Sequence, residues 1–289
     1  MKTFKYISIV FLLFGFSFAL VQCAKEESTI QSENEKFEYK ISDIENAIKL
    51  AEKNQEKYKI NSTLQFRTDG TGCFSLDTFD CKGDLVFLGS FEREVDVYNN
   101  CKAKVKYDLW RCFQSNGLPY PDLTVIFTFY FDNFEAFPIE GDCDSVLVYW
   151  EYLLSNNLYE EFIESSETFV RDAQKATEQV VIQEWMDIVG VFFGCDYLST
   201  TLYSEFYTAK CYQDYLKVWI SRGVFRWDLI KVKCGESCCK RTTYYCVNDN
   251  GEVIPSDPLI EELGECYPIL TTPPPDGYSP IGDCEHMCK

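Results

Sequence analysis

Histidine is all but missing, since His286 is the single one in the chain. A Ser-His-Asp or Cys-His centre would have to use it, inside the tail sequence GDCEHMCK, where oxidation consumes the neighbouring thiols. The H-E-x-x-H motif of zinc peptidases needs two histidines and is excluded. Positive charge is scarce too: 27 lysines and arginines stand against 46 acidic residues, a net charge of −19. Nucleic acid is therefore excluded as a partner, because neutralising phosphates takes clustered cations. Glycine-rich phosphate loops are lacking as well, for DGTG at Asp69 to Gly72 has neither the length nor the lysine of a nucleotide loop and reads as a turn. No cofactor is implied. Long apolar runs are confined to the amino terminus, where Ile7 to Val21 falls short of the roughly 20 residues a bilayer span needs. No transmembrane helix is expected in the mature chain.

What that amino terminus does contain is Lys2 and Lys5 followed by an uncharged apolar stretch, the pattern of an export signal. Its removal takes two lysines and no acid, leaving 25 basic against 46 acidic residues and a net charge of −21. Cleavage is expected after Ala19, where Ser17 and Ala19 are the small residues, or after Cys23. Leu20-Val21-Gln22-Cys23 also resembles a bacterial lipoprotein signal, with Gln22 standing where that family has a small residue. The lysine-then-acidic run Cys23-Ala24-Lys25-Glu26-Glu27 is similar to the tether behind the lipidated cysteine of surface lipoproteins. The resemblance implies lipid on Cys23 and a membrane anchor without a span.

Fifteen cysteines are present, and setting Cys23 aside leaves an even fourteen: Cys73, Cys81, Cys101, Cys112, Cys143, Cys195, Cys211, Cys234, Cys238, Cys239, Cys246, Cys266, Cys284 and Cys288. In an exported chain such a count reads as up to seven disulfides. The densest cluster, KCGESCCKRTTYYC, spaces its cysteines as C-x3-C and C-x6-C, unlike the C-x2-C pairs of zinc sites, and has no histidine. No metal is expected there. Cys284, His286 and Cys288 alternate, so an extended backbone brings them to one face; two staples beside a surface histidine is the favoured reading. Adjacent Cys238 and Cys239 point to opposite faces of a strand and should find different partners. Cys73 and Cys81 are placed to close a local loop.

Hydrophobic periodicity gives an α+β fold, a mostly antiparallel sheet with packed helices, disulfide-stabilised. The expected organisation is a signal peptide at 1–23, an acidic tether at 24–40, one α+β domain at 41–254, and a proline-punctuated, cysteine-containing tail at 255–289. Ile44, Ala47, Ile48 and Ala51 recur at helical spacing behind Ser42 as cap. Cys101, Ala103, Val105, Tyr107 and Leu109 alternate with polar residues, a half-buried strand, whereas LTVIFTFYFDNF is apolar on both faces and reads as a central strand. Asn157 to Glu160 has the form of a capping box, ahead of a long helix with Phe169, Ala173, Ala176, Val180, Val181, Trp185, Ile188 and Phe192 along its apolar face. Strands follow in LYSEFYTAKCY, WDLIKVKC and SCCKRTTYYCV, the last two closing the sheet, and Asn250-Gly251 predicts a type I′ turn into Glu252-Val253-Ile254. Pro273 to Pro275 should be extended.

A strand, a long helix carrying Trp185, and another strand resemble the front half of the matrixin-type zinc peptidase fold over roughly a third of the chain, by element order alone. With no metal motif, the resemblance implies a catalytically dead relative. The calcium-loop likeness of CVNDNGEVIPSD places Cys246 and Asp257 in the end ligand positions, so a hairpin turn explains it better. Asn61-Ser62-Thr63 is a glycosylation sequon that a bacterial-type export signal leaves idle. Two functions are expected to compete. One is a non-catalytic binding or structural surface protein whose aromatic residues, drawn from Trp110, Trp150, Trp185, Trp219 and Trp227 and the 19 tyrosines, form a platform for a protein or glycan ligand. The other is a carboxylate-based hydrolase such as a glycosidase, which needs only two facing acids.

Overall fold

Alternation is strongest in Cys101–Ser115, and the chain there forms a strand whose odd residues from Cys101 to Leu109 are buried while Lys102 and Lys104 face outward. A computed structural model describes residues 40–60, 81–98, 101–118, 122–196, 200–209, 211–221, 224–235, 237–264, 276–282 and 284. Expectations for the export signal, Cys23, the tether up to residue 39, the sequon at Asn61, Pro273 to Pro275, Cys73, Cys266, His286 and Cys288 lie outside them.

Helix α1 covers Ile41–Gln55 and buries Ile44, Ile48 and Ala51. It starts ahead of Ser42, which sits in the first turn. The Asp43 carboxylate takes up the cap instead, accepting the Lys40 N–H at 3.0 Å. Strands β1 (Asp84–Tyr98), β2 (Cys101–Ser115) and β3 (Val125–Pro138) follow as an antiparallel meander. After them come helix α2 (Asp144–Ser155), helix α3 (Tyr159–Val189) and strand β4 (Thr200–Ala209), which returns parallel to β3. Strands β5 (Tyr212–Ser221) and β6 (Val224–Lys233) form a hairpin; β7 (Cys238–Val247), β8 (Val253–Pro255), β9 (Leu259–Leu263) and β10 (Ser279–Ile281) complete the order. The main sheet runs β1-β2-β3-β4-β7, with β8 and β9 both on β7, and the second sheet runs β10-β5-β6. The result is an α+β architecture, antiparallel throughout except for β3 against β4. Strands β9 and β10 belong to the proline-punctuated 255–289 segment and are held in the two sheets.

Helix α3 explains why β3 is apolar on both faces. It lies on the meander, burying Trp185 against Phe127 and Phe129 at ring distances of 5.5 and 4.8 Å, while the opposite face of β3 puts Tyr130 with Cys112, Tyr207 and Cys238. Each such buried aromatic contributes about 1.5–3 kcal/mol relative to exposure. The buried stripe of α3 includes Phe169, Ala173, Val181 and Trp185, but Val180 is exposed, and Gln174, Thr177 and Glu178 are buried in its place. A 31-residue helix drifts relative to a fixed spacing, so one sequence stripe cannot face the sheet along its whole length.

Several local expectations are corrected. The Asn157 capping box does not form: Leu158 precedes the helix and Asn157, at φ 57°, closes the α2–α3 turn. Cys81 bonds Cys112 rather than Cys73, tying the start of β1 across to β2. At the β7–β8 hairpin the Gly251 N–H donates to the Asn248 carbonyl at 2.9 Å, and Gly251 has φ 80° while Asn250 does not turn positive. That is not a type I′ turn but a longer loop held by Asn248, whose Oδ1 accepts the N–H groups of Asn250 and Glu252. WDLIKVKC and SCCKRTTYYCV are strands, yet they lie in different sheets.

Four disulfides are Cys81–Cys112, Cys101–Cys143, Cys195–Cys246 and Cys234–Cys284. Cys211, Cys238 and Cys239 are disulfide-bonded as well. The dense cluster is thus stapled outward, Cys246 to the segment before β4 and Cys234 to the segment after β10. Structural disulfides in this number are the mark of folding in an oxidising, extracytoplasmic environment. No described helix is long and apolar enough to cross a membrane.

Candidate functional site

Buried charge is the first place to look, since it is expensive unless it has a task. Glu178 of α3 and Arg241 of β7 meet between helix and sheet at 2.7 Å, both nearly sealed from water. The Ser204 hydroxyl donates to the same carboxylate, and the guanidinium lies 5.0 Å over the Phe206 ring. Burial, then the Glu178 charge, raises the pKa of Tyr245 beside them. A second cluster joins α1, β1 and α3: Gln55 Nε2 and the Tyr58 hydroxyl each donate to Glu184 at 2.8 Å, and Arg93 donates to Gln55 Oε1 at 2.9 Å while stacking on the Tyr58 ring. Every carboxylate oxygen here already has a donor. Both clusters are clips between elements.

On the outer face of the main sheet a different arrangement appears. Two residues of β3, Asn133 and Phe134, stand opposite the single Tyr107, so the register shifts between Lys106 and Asp108. Asn133 takes φ 49°, which asparagine tolerates better than most residues. The bulge turns Phe134 inward against Phe206 and leaves Asp132 cross-strand from Asp108. Asp108 is satisfied, accepting from the Ser90 hydroxyl at 2.5 Å and from Asn133 Nδ2 at 2.7 Å. Asp132 is not: it is 6% exposed and its Oδ1 has no hydrogen-bond partner. Burial pushes its pKa up from 3.8 to about 6, a backbone hydrogen bond at Asn133 opposes this, and the Asp108 charge adds to it. Farther along the same face Glu205 accepts from the Tyr207 hydroxyl at 2.6 Å and pairs with Lys240 at 3.0 Å. Burial works against the Lys240 charge, but Glu205 and Glu261 more than offset it and its pKa is raised.

The third feature is on α2. Val146, Trp150, Leu153 and Leu154 face inward, with Trp150 edge-on to Phe162, Phe169 and Trp227 at 5.5–5.8 Å. The Cys101–Cys143 disulfide pins the amino end of this helix to β2. Its outer face is apolar too: Val148 is 64% exposed, Tyr149 49% and Tyr152 57%. Spaced three and four apart, these three form one continuous patch. The flanking stretches carry the acids Glu140, Asp142 and Asp144 at the amino end of α2, Glu151 within it, and Glu160 and Glu164 in the first turns of α3, all exposed. From Cys112 to Val170 the sequence contains eleven acidic residues and no lysine, arginine or histidine. That charge block is readable in the sequence and was missed by attending to the total charge alone.

The expected site residues fare unevenly. Of the tryptophans offered as a platform, Trp150 and Trp185 are buried, Trp110 is half-buried against Phe87, Trp227 is half-buried against α2 and α3, and Trp219 is exposed at the far end of β5. The tryptophans do not form one exposed surface; of the tyrosines offered beside them, Tyr149 and Tyr152 are exposed together on α2. Cys246, whose place in the first ligand position argued against a calcium loop, is bonded to Cys195. Among the described residues, no group of three or more histidine, cysteine or acidic side chains is placed to hold a metal ion. No protein-family model, curated protein or solved structure matches this chain. The long helix α3 that carries Trp185 does lie between strands β3 and β4, but α2 stands between β3 and α3, so the simple strand–helix–strand order is not kept.

Proposed function

We propose that this is an exported, disulfide-stapled protein that acts by binding, secreted or held at the outer surface of the cell envelope, with the fourteen cysteines after Cys23 fully oxidised and Cys23 as its lipid anchor or removed with the signal. The observation that carries the binding reading is the outer face of α2. A soluble protein gains nothing in stability by displaying Val148, Tyr149 and Tyr152 together, and contiguous apolar surface of this kind marks contact sites. The helix beneath is locked by a disulfide and by Trp150, so the surface is preorganised and little ordering entropy is lost on contact. Such a surface suits a protein or peptide ligand.

The test is to follow α2 amide resonances of the oxidised mature protein while adding cationic, anionic and neutral peptides and neutral oligosaccharides. Shifts confined to α2 and its neighbours are expected with at least one class. If all leave α2 untouched, the binding reading falls.

A carboxylate-based hydrolase is the second reading, favoured by Asp132, a carboxyl held protonated to about pH 6 next to the ionisable Asp108. At 6% exposure Asp132 offers a substrate almost no surface, which is why binding is preferred. Turnover of any fluorogenic glycoside that disappears in both Asp108→Asn and Asp132→Asn would reverse the preference.

A further inference from the structure

The binding surface of α2 has a chemistry that selects among ligands. Resting on the binding reading above, we propose that its partner is a cationic amphipathic polypeptide segment, one that sets aliphatic or aromatic side chains on Val148, Tyr149 and Tyr152 and its lysines or arginines against the surrounding acids. Three facts meet here. The apolar strip, Val148 to Tyr152, covers about one turn in the middle of a 12-residue helix that is itself about 18 Å long, enough to seat one turn of an amphipathic helix with its charged ends over the flanking acids. Acidic groups lie at both ends and along one side: Asp142 and Asp144 at the amino end, Glu151 beside Tyr152, and Glu160 and Glu164 at the start of α3. And 59 consecutive residues, including all of α2 and the first third of α3, supply no cation to neutralise them.

Other charges in the fold do not cancel this field. In the neighbouring meander the acids are matched: β1 and β2 set Glu92, Glu94 and Asp96 opposite Lys106, Lys104 and Lys102 in register, with Lys104 on Glu92 at 2.7 Å. Among the described residues the neighbouring elements bring Lys102, whose carbonyl accepts the Ile139 N–H near the amino end of α2, Arg171 and Lys175 farther along α3, and Arg226, which alternates with the inward Trp227 on β6, while Lys104 and Lys231 are paired with Glu92 and Asp214. A second copy of the chain would present the same unneutralised acids to its twin, and an anionic membrane or nucleic acid would be repelled in the same way. A basic segment is attracted at a distance, and its apolar face then finds the tyrosines.

The probe is a synthetic leucine–lysine amphipathic helix about 14 residues long, close to the length of α2; its controls are the leucine–glutamate and serine–lysine versions. Binding to the mature oxidised protein is measured by fluorescence anisotropy at about 0.05 M and about 0.5 M salt, which shortens the screening length several-fold. The leucine–lysine peptide should bind, weaken at least about tenfold in the higher salt, and exceed the serine–lysine peptide by a similar factor. Tyr149→Ser with Tyr152→Ser should lower its affinity about tenfold or more. Glu151→Lys with Glu164→Lys should reverse the preference toward the leucine–glutamate peptide. All four side chains are exposed, and an unchanged thermal midpoint confirms folding. If neither double variant alters leucine–lysine binding, the peptide is merely attracted to a polyanion and the inference is wrong. If α2 resonances respond only to neutral or anionic ligands, the inference fails while the binding reading survives. If they respond to nothing, both fail.

Discussion

Replacing Asp132 with asparagine should stabilise the protein at neutral and alkaline pH, and the gain should vanish in acid. The folded state holds the Asp132 proton up to about pH 6, whereas the unfolded chain releases it near 3.8. Folding therefore takes up a proton between those values, and stability falls as pH rises through that window. The gap between the two values costs about 3 kcal/mol once both states are ionised, and about 2 kcal/mol of it accrues between about pH 4.5 and about pH 8. An asparagine keeps the shape but leaves a buried amide poorly partnered, which costs about 1 kcal/mol, so the net gain at about pH 8 should be about 1–2 kcal/mol. Urea unfolding of both proteins at a series of pH values isolates the effect, because all other carboxylates contribute equally to the two curves. The curves should diverge with rising pH from about 4 to about 6.5 and run parallel above. If they are parallel throughout, or if the variant loses ground as pH rises, then the charged form of Asp132 is not disfavoured and the bulge stores no such cost.

Arg241→Met removes the buried partner of Glu178 between α3 and the sheet, and should cost about 3–5 kcal/mol in urea unfolding; adding Glu178→Gln should recover much of that, and a single-variant loss below about 1 kcal/mol would contradict a sealed pair. Removing the Cys101–Cys143 disulfide by alanine substitution frees a 42-residue separation. The unfolded chain then gains entropy worth about 4 kcal/mol, read as a drop in the denaturant midpoint. An unchanged midpoint would show that α2 is held by Trp150 packing alone.

Strands were legible where one face is wet. Lys102, Lys104 and Lys106 alternate with buried residues because β1 and β2 need a core side and a solvent side, and the sequence carries that requirement directly. The long helix was legible by length and period, yet its caps were not: Asp43 and Leu158 hold the helix starts, where Ser42 and Asn157 had the better side chains. Pairing was beyond local reading altogether. Cys81 could reach Cys73 along the chain as easily as Cys112 across the sheet, and the choice depends on β1 lying antiparallel to β2. The same holds for β6 and β7, adjacent in sequence but placed in separate sheets. Asp132 looked like any strand acid, since its burial arises from the bulge at Asn133, a feature of register.

Helix α2 was missed for a reason that bears on function. A helix announces itself in sequence by a polar face, and Val148, Tyr149 and Tyr152 put apolar side chains where water-facing residues belong, so DSVLVYWEYLL shows no period at all. Once Trp150, Leu153 and Leu154 are seen turned inward, the absent period becomes the observation: the outer residues are not there to pack this fold. Sites where local sequence rules fail without a folding benefit are where function is to be sought. The acids of the same stretch, with no lysine or arginine between Arg111 and Arg171, add the electrostatic half of that inference. Both halves lie in one segment of the chain, and only the fold reveals that they share a surface.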